Sequence, residues 1–202
     1  YSIFKKYNIK LNYFYLYNFL KKIKQYNLES YDKTIFRNFD LSKNIHNIEY
    51  IFQETKKAHI YDDNLVKNIL KYKNHNILIN NSYLQSLKYF NEFRSDILEL
   101  FSPDPMSFQY ILNKYKVFKP NIINVSIHIR LSWGNNLKYN KQYFIDSINF
   151  IKNKCNIDNN INFLVFSDDI IETKKLLDNI KEKFIFCEDN PDYIDLWTMS
   201  LC

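Results

Sequence analysis

Glycine is nearly missing from this chain. Gly134 is the only one in 202 residues, against four prolines, where average usage is roughly 7% glycine. Close backbone approach to a phosphate usually relies on glycine, so a P-loop or a GxGxxG turn is excluded. Cysteine is also sparse. Cys155, Cys187 and Cys202 form no CxxC pair and are odd in number, which argues against a disulfide scaffold and for a reducing compartment. No apolar run approaches the 18 or so residues of a membrane span, and no signal peptide is visible. The four histidines, His46, His59, His75 and His128, have no ligand spacing, so no metal is expected. The chain opens on Tyr1 and stops at Cys202 in mid-pattern, which suggests a fragment. A missing targeting segment then says little about the parent protein, and both membrane-associated and cytoplasmic locations stay open.

What is abundant is Asn, Ile, Lys and Tyr. Hydrophobic residues make up 46%, enough for one large domain or two small ones with a sizeable core. Asn is spread evenly among apolar residues, so its excess reads as genome composition rather than a prion-like segment. The net charge of +6 is unevenly placed. The first 28 residues hold Lys5, Lys6, Lys10, Lys21, Lys22 and Lys24 and no acid, whereas the last forty or so are acid-rich. A basic, Tyr-rich start could track a nucleic-acid backbone or an anionic membrane, while a solvated lysine face is the simpler reading. No RNA-binding signature accompanies it. Nucleic acid is therefore not expected as a partner, and peripheral membrane contact is left open.

Periodicity orders the chain. Asn12–Leu20 reads as strand or buried helix and Glu29–Asn47 as loop. Ile48–Lys57 and Asn64–Tyr72 read as short helical pieces, with Leu65, Ile69 and Leu70 on one face of the second. His75–Ile79 is a short strand. Tyr83, Leu84, Leu87 and Phe90 or Asn91 recur at helical spacing, continued by Ile97, Leu98, Leu100 and Phe101 until Ser102–Pro105 breaks the run. Met106–Tyr115 is a further helix and Lys116–Asn121 a connector. The connector divides residues 1–120 from residues 121–202.

The second part alternates more cleanly. Strand Asn124–Arg130 leads through the irregular Leu131–Asn136 to helix Lys141–Lys152, whose buried side is predicted to carry Tyr143, Phe144, Ile148 and Ile151 under an Asn140 cap. Ile161–Phe166 is nearly all apolar, as in a strand buried on both faces of a parallel sheet. Helix Ile170–Ile180 begins under a capping-box pattern, Asp169 followed by Glu172. Strand Lys183–Cys187 follows, and Asn190–Pro191 reads as the cap and first residue of a last helix. Strand and helix repeated three times describe a doubly wound α/β half.

Within that half, His128 and Arg130 share one face of their strand, opposite Val125, Ile127 and Ile129. A solvent-exposed edge would produce the same pattern. The functional reading is a phosphate clamp, in which the guanidinium fork matches two oxygens and the histidine adds a hydrogen bond. Ser167, Asp168 and Asp169 fall at the carboxyl end of the next strand, the edge at which α/β folds bind ligands. Carboxylates there accept hydrogen bonds from a ribose or a base, although Ser167 or Asp169 could equally cap the following helix.

Five segments in order, YLQS-x2-YF (Tyr83–Phe90), VSIHIR (Val125–Arg130), QYF (Gln142–Phe144), FLVFSDD (Phe163–Asp169) and DLWTMSLC (Asp195–Cys202), resemble the family 11 glycosyltransferases, the α-1,2-fucosyltransferases. The resemblance runs from about Asn80 to Cys202. It implies an α/β, GT-B-like fold of two Rossmann-like domains. Residues 1–120 would be the acceptor-side domain and residues 121–202 the donor domain, both incomplete. It also implies metal-independent, inverting transfer of fucose from GDP-fucose to a galactose-terminated glycan. By the same resemblance Arg130 holds the donor β-phosphate and is the catalytic residue, His128 contacts the nucleotide, and Ser167 with Asp168 or Asp169 lines the guanosine pocket. The family's HIRRGDY stands here as HIRLSWG, so its second arginine is Leu131, and the glycine of GYFQS is Ser82. A relative that binds a nucleotide or glycan without transfer is the alternative these departures suggest, and a basic nucleic-acid-binding α/β protein is the less favoured one.

Overall fold

A computed structural model describes residues 33–38, 47–57, 59–80, 82–131, 140–155 and 160–202. The readings of Asn12–Leu20 and of the N-terminal lysines lie outside these residues, as do Trp133 and Gly134. The described protein is mixed α/β with parallel sheets. It divides into two compact units, Tyr1–Ser102 and Pro103–Cys202. The connector Lys116–Asn121 runs inside the second.

The first unit holds a strand–helix–strand crossover. β1 (Tyr50–Phe52) and β2 (Ile77–Ile79) pair in parallel, Tyr50 opposite Ile77 and Phe52 opposite Ile79. They are joined through α1 (Asp63–Lys71), which buries Leu65, Val66 and Ile69. The helix expected at Ile48–Lys57 is thus a strand. Tyr-Ile-Phe suits a pleated half-buried surface, and its rings gather on one side, Tyr50 stacking on Tyr72 at 4.1 Å between centroids.

Asp62 caps α1 and is fully buried. Its Oδ1 accepts from the N–H groups of Asn64 and Leu65 at 3.1 and 3.2 Å. Its Oδ2 accepts from Thr55 N and Thr55 Oγ1 at 2.7 and 2.8 Å. Tyr89 Oη accepts from Asp62 N at 2.8 Å and donates to Glu54 Oε1 at 3.0 Å. Glu54 Oε2 in turn accepts from Tyr83 N and Leu84 N. Drawn toward Glu54, the chain does not begin a helix at Tyr83. Leu84 takes a positive φ of 51°, a left-handed conformation costly for a side chain of this size. The expected helical run becomes two single 3₁₀ turns, Leu87–Tyr89 and Asn91–Phe93, and a short α2 (Arg94–Leu100).

The second unit begins with α3 (Pro105–Lys114). Asp104 caps it, accepting from Met106 N and Ser107 N, with Pro105 at the first turn, where its missing N–H costs nothing. Then β3 (Ile123–Ile129), α4 (Lys141–Cys155), β4 (Ile161–Ser167), α5 (Ile170–Leu177), β5 (Phe184–Phe186) and α6 (Asp192–Ser200) alternate. The three strands are parallel in the order β3-β4-β5, with Ile127 opposite Val165 and Val165 opposite Phe186. One face of this sheet packs Ile129 and Val165 against Phe144 of α4 and Leu177 of α5, with Ile127, Leu131, Phe184 and Phe186 around them. On the other face Leu164 and Phe166 are fully buried, while Ser126 and His128 are exposed. The nearly all-apolar β4 is therefore the central strand. Tyr143, expected inside, is exposed, and Phe144 and Ile148 supply the buried stripe of α4.

The shortage of glycine is met by asparagine and aspartate. Asn47, Asn121, Asn179 and Asp189 all adopt positive φ, the region these short polar residues tolerate best after glycine. α5 ends at Leu177, three residues before the expected Ile180, with Asn179 in the turn that follows.

Candidate functional site

The carboxyl ends of β3 and β4 lie side by side, because Ile129 is in register with Ser167. His128, on the sheet face opposite Ile127 and Ile129, and Arg130, the residue directly after β3, are both exposed there. Asp168 is exposed and ties the two strand ends together, its Oδ1 accepting from Leu131 N at 2.7 Å. The structure thus brings Arg130, Leu131 and Asp168 to one edge. Leu131, standing where the resembling family has a second arginine, is half-buried and packs on the core of Ile129, Phe144, Val165 and Leu177.

The other two residues of the Ser-Asp-Asp run are committed to structure. Ser167 Oγ accepts from Thr173 Oγ1 at 2.8 Å, and Thr173 is fully buried in α5. The same oxygen accepts from Asp169 N at 3.1 Å. Asp169 caps α5, its Oδ1 accepting from Glu172 N at 3.0 Å. Half of the capping box forms. Glu172 Oε1 does not return to Asp169 N but accepts from Lys175 Nζ at 2.5 Å, leaving that N–H to Ser167. Of the two readings of this run, capping describes Ser167 and Asp169 as they stand. Asp168 is the member whose carboxylate meets the end of β3.

A second constellation was not singled out by sequence. Past β5 the chain runs through Cys187–Asn190 into α6, and Asn190 does not cap that helix. Pro191 occupies the cap position and no side-chain bond forms there. Asn190 Nδ2 instead donates to Tyr115 Oη at 2.6 Å and to Asp195 Oδ1 at 2.7 Å, while its Oδ1 accepts from Lys114 Nζ at 2.6 Å. Lys114 Nζ also donates to the carbonyls of Glu188 and Asp189, pinning α3 to the loop ahead of α6. Burial pushes the Asp195 carboxyl above its usual range, and the Asn190 amide and the nearby charges of Lys114 and His128 hold it back. Burial likewise pushes the Cys187 thiol up to about 12. The only sequence signal for this group was Asp195 as the first residue of DLWTMSLC; Tyr115 and Asn190 lie 75 positions apart.

Among the described residues no three of His, Cys, Asp and Glu gather as metal ligands, and no helix is long and apolar enough to cross a membrane.

The carboxyl edge of the parallel sheet thus presents Arg130, His128 and Asp168. The chain is 31% identical over 129 residues to the alpha-1,2-colitosyltransferase of Escherichia coli, the match covering 58% of this chain and 43% of that protein. It is a distant relative of a glycosyltransferase and spans less than half of that relative's length. No family model matches the chain, and no solved structure does.

Proposed function

We propose that this chain belongs to a glycosyltransferase of GT-B architecture that transfers a fucose-type sugar from a GDP-linked donor to a galactoside acceptor, forming an α-1,2 linkage with inversion and without a metal. The observation that carries the reading is the placement of Arg130. It is exposed directly after β3, at the carboxyl edge of a parallel sheet and beside the Asp168–Leu131 link. The motif series and the colitosyltransferase relative support it from the sequence side.

The chemistry follows from what leaves. As the acceptor hydroxyl attacks the anomeric carbon, the bond to the β-phosphate oxygen breaks and negative charge grows on the diphosphate. A guanidinium fixed at that point is worth more in the transition state than in the bound donor. His128, exposed two residues earlier on β3, adds a hydrogen bond to the nucleotide, and Asp168 orders the edge on which both stand. The acceptor proton must pass to a base as the bond forms.

The test is Arg130→Ala in the whole protein, assayed for transfer from GDP-fucose and from GDP-colitose to a β-galactoside. A fall of about a hundredfold or more is expected, and a rate near that of wild type overturns the assignment. The preferred donor identifies the sugar. One observation favours a second reading, a member that binds without transfer: Leu131 is packed into the core where a second cation would stand. Donor binding with no turnover in the whole protein would select it.

A further inference from the structure

We infer that Tyr83 and Gln85 form the acceptor contact of the first unit, the Tyr83 ring stacking on a galactoside and the Gln85 amide meeting its hydroxyls. The inference rests on the glycosyltransferase reading above and concerns the first unit taken by itself. It draws on the segment Tyr83–Phe90, which the donor site leaves unused.

The segment lies past the carboxyl end of β2, where Phe52 and Ile79 are in register and Asn80 N donates to Phe52 O at 2.8 Å. In a parallel strand–helix–strand unit, that is the edge whose loops receive ligands. The side chains around it are mostly engaged within the fold. Ser82 Oγ accepts from Glu54 N and donates to Asn80 O. Ser86 and Tyr89 are buried, and the Tyr89 hydroxyl is held between Asp62 N and Glu54 Oε1. Tyr83 and Gln85 are not so engaged. Tyr83 is 77% exposed, more than any other aromatic side chain among the described residues, and its ring and hydroxyl meet no partner among them. Gln85 is exposed as well, its amide making no hydrogen bond among the described residues.

The backbone beneath these two side chains is fixed. Glu54 Oε2 accepts from Tyr83 N at 2.9 Å and from Leu84 N at 3.0 Å, and Leu84 between them is held at φ 51°. A leucine stays in that conformation only where its surroundings over-determine it, and such outliers gather at ligand clamps. With both N–H groups tied to one carboxylate, the loop is ordered before any ligand arrives, so little entropy is lost on binding. The two side chains offer the chemistry a sugar needs. The one axial hydroxyl of a β-galactoside leaves the opposite ring face lined by C–H groups, which suit the broad apolar face of a tyrosine. An amide supplies both a donor and an acceptor to the hydroxyls at the rim.

The experiment uses the whole protein with methyl β-galactoside as acceptor and whichever of GDP-fucose and GDP-colitose it accepts as donor. Wild type is compared with Tyr83→Ala, Tyr83→Phe and Gln85→Ala, all at exposed positions where the fold tolerates change. Tyr83→Ala is expected to raise the acceptor KM about tenfold, with the donor KM and kcat unchanged. Tyr83→Phe keeps the ring and should stay within about threefold of wild type, while Gln85→Ala should raise the acceptor KM about fivefold. An acceptor KM unmoved by Tyr83→Ala overturns the inference, as does a donor KM that rises in step with it. Tyr83→Phe as weak as Tyr83→Ala overturns the stacking. If Arg130→Ala is inactive in the same assays, the donor-site reading stands through each of these failures. Saturation-transfer NMR of methyl β-galactoside reads the contact without turnover. Transfer of saturation to the sugar in wild type and Tyr83→Phe but not in Tyr83→Ala supports the inference even in a protein that transfers no sugar. A wild-type protein that binds GDP but not methyl β-galactoside overturns the inference alone, and one that binds neither overturns the functional reading with it.

Discussion

Replacing Asp62 by asparagine tests how far the first unit depends on a single carboxylate. Asp62 is 0% exposed and accepts four hydrogen bonds. Asparagine preserves the shape but offers one acceptor oxygen, so its amide N–H₂ must face either the Asn64 and Leu65 donors or the two donors of Thr55. One pair is left unsatisfied in a buried site, at about 1–3 kcal/mol for each group. A net loss of about 3 kcal/mol is expected, roughly a hundredfold in local opening. Titration gives an independent figure. The Thr55 N–H, followed by the Thr55 hydroxyl and the helix N–H groups, holds the Asp62 carboxyl at about 2, below its ordinary 3.8, against the opposing effect of burial. That difference is worth about 2 kcal/mol. Its sign is fixed by linkage. The folded pKa is depressed, so the contribution is fully present above about pH 4 and is lost as pH falls through 2. Hydrogen exchange at the amides of Thr55, Asn64 and Leu65 reads the local free energy directly. Protection should fall about a hundredfold in Asp62→Asn at neutral pH, and the two proteins should converge toward pH 2. A gap that stays constant from pH 6 to pH 2, or no gap at all, would refute the reasoning.

Other expectations follow from the second unit. Ser167→Ala should cost about 1 kcal/mol in urea unfolding by stranding the Thr173 hydroxyl, with little change in GDP affinity; a large affinity loss at unchanged stability would restore Ser167 to the ligand. Asp169→Ala removes the cap of α5 and should cost about 1 kcal/mol, read as earlier exchange at Glu172 N. With its thiol pushed up to about 12 and only 4% exposed, Cys187 should resist iodoacetamide at pH 8 until the protein unfolds, and rapid labelling of the native protein would contradict its burial. Leu177→Ala opens a cavity beside Ile129 and Val165 and should cost about 2–5 kcal/mol, by urea unfolding.

The alternation from β3 to α6 was legible because each of its elements carries a local period. β4 is the exception that was legible without a period: its short apolar run, Phe163–Phe166, reads as a strand covered on both faces, and all four residues are buried. The three residues of β1 are too few to show any period, and what makes them a strand is their pairing with Ile77–Ile79, out of reach of a local reading. The same distance hid both polar networks. Asp62 meets Tyr89 across 27 positions, and Asn190 meets Tyr115 across 75. At the candidate site, His128, Arg130 and Asp168 were readable from their strand ends. Asp195 was readable only as a letter in a motif, since its partner Asn190 read locally as a helix cap. The capping box was half right for a related reason: the pattern names two partners, but the fold supplied Ser167 as a third.

Asn190 uses both halves of its amide at once, as acceptor for Lys114 and as donor to Tyr115 and Asp195. Few replacements can do both. Aspartate would set a second carboxylate against Asp195, leucine would strand three polar groups, and glutamine would overshoot by a methylene. Positions 114, 115, 190 and 195 therefore form a single mutational unit. In a randomised library, changes at any one of them should survive chiefly in clones that have changed a second, and double-mutant cycles among the four should deviate from additivity where cycles to distant Phe144 do not.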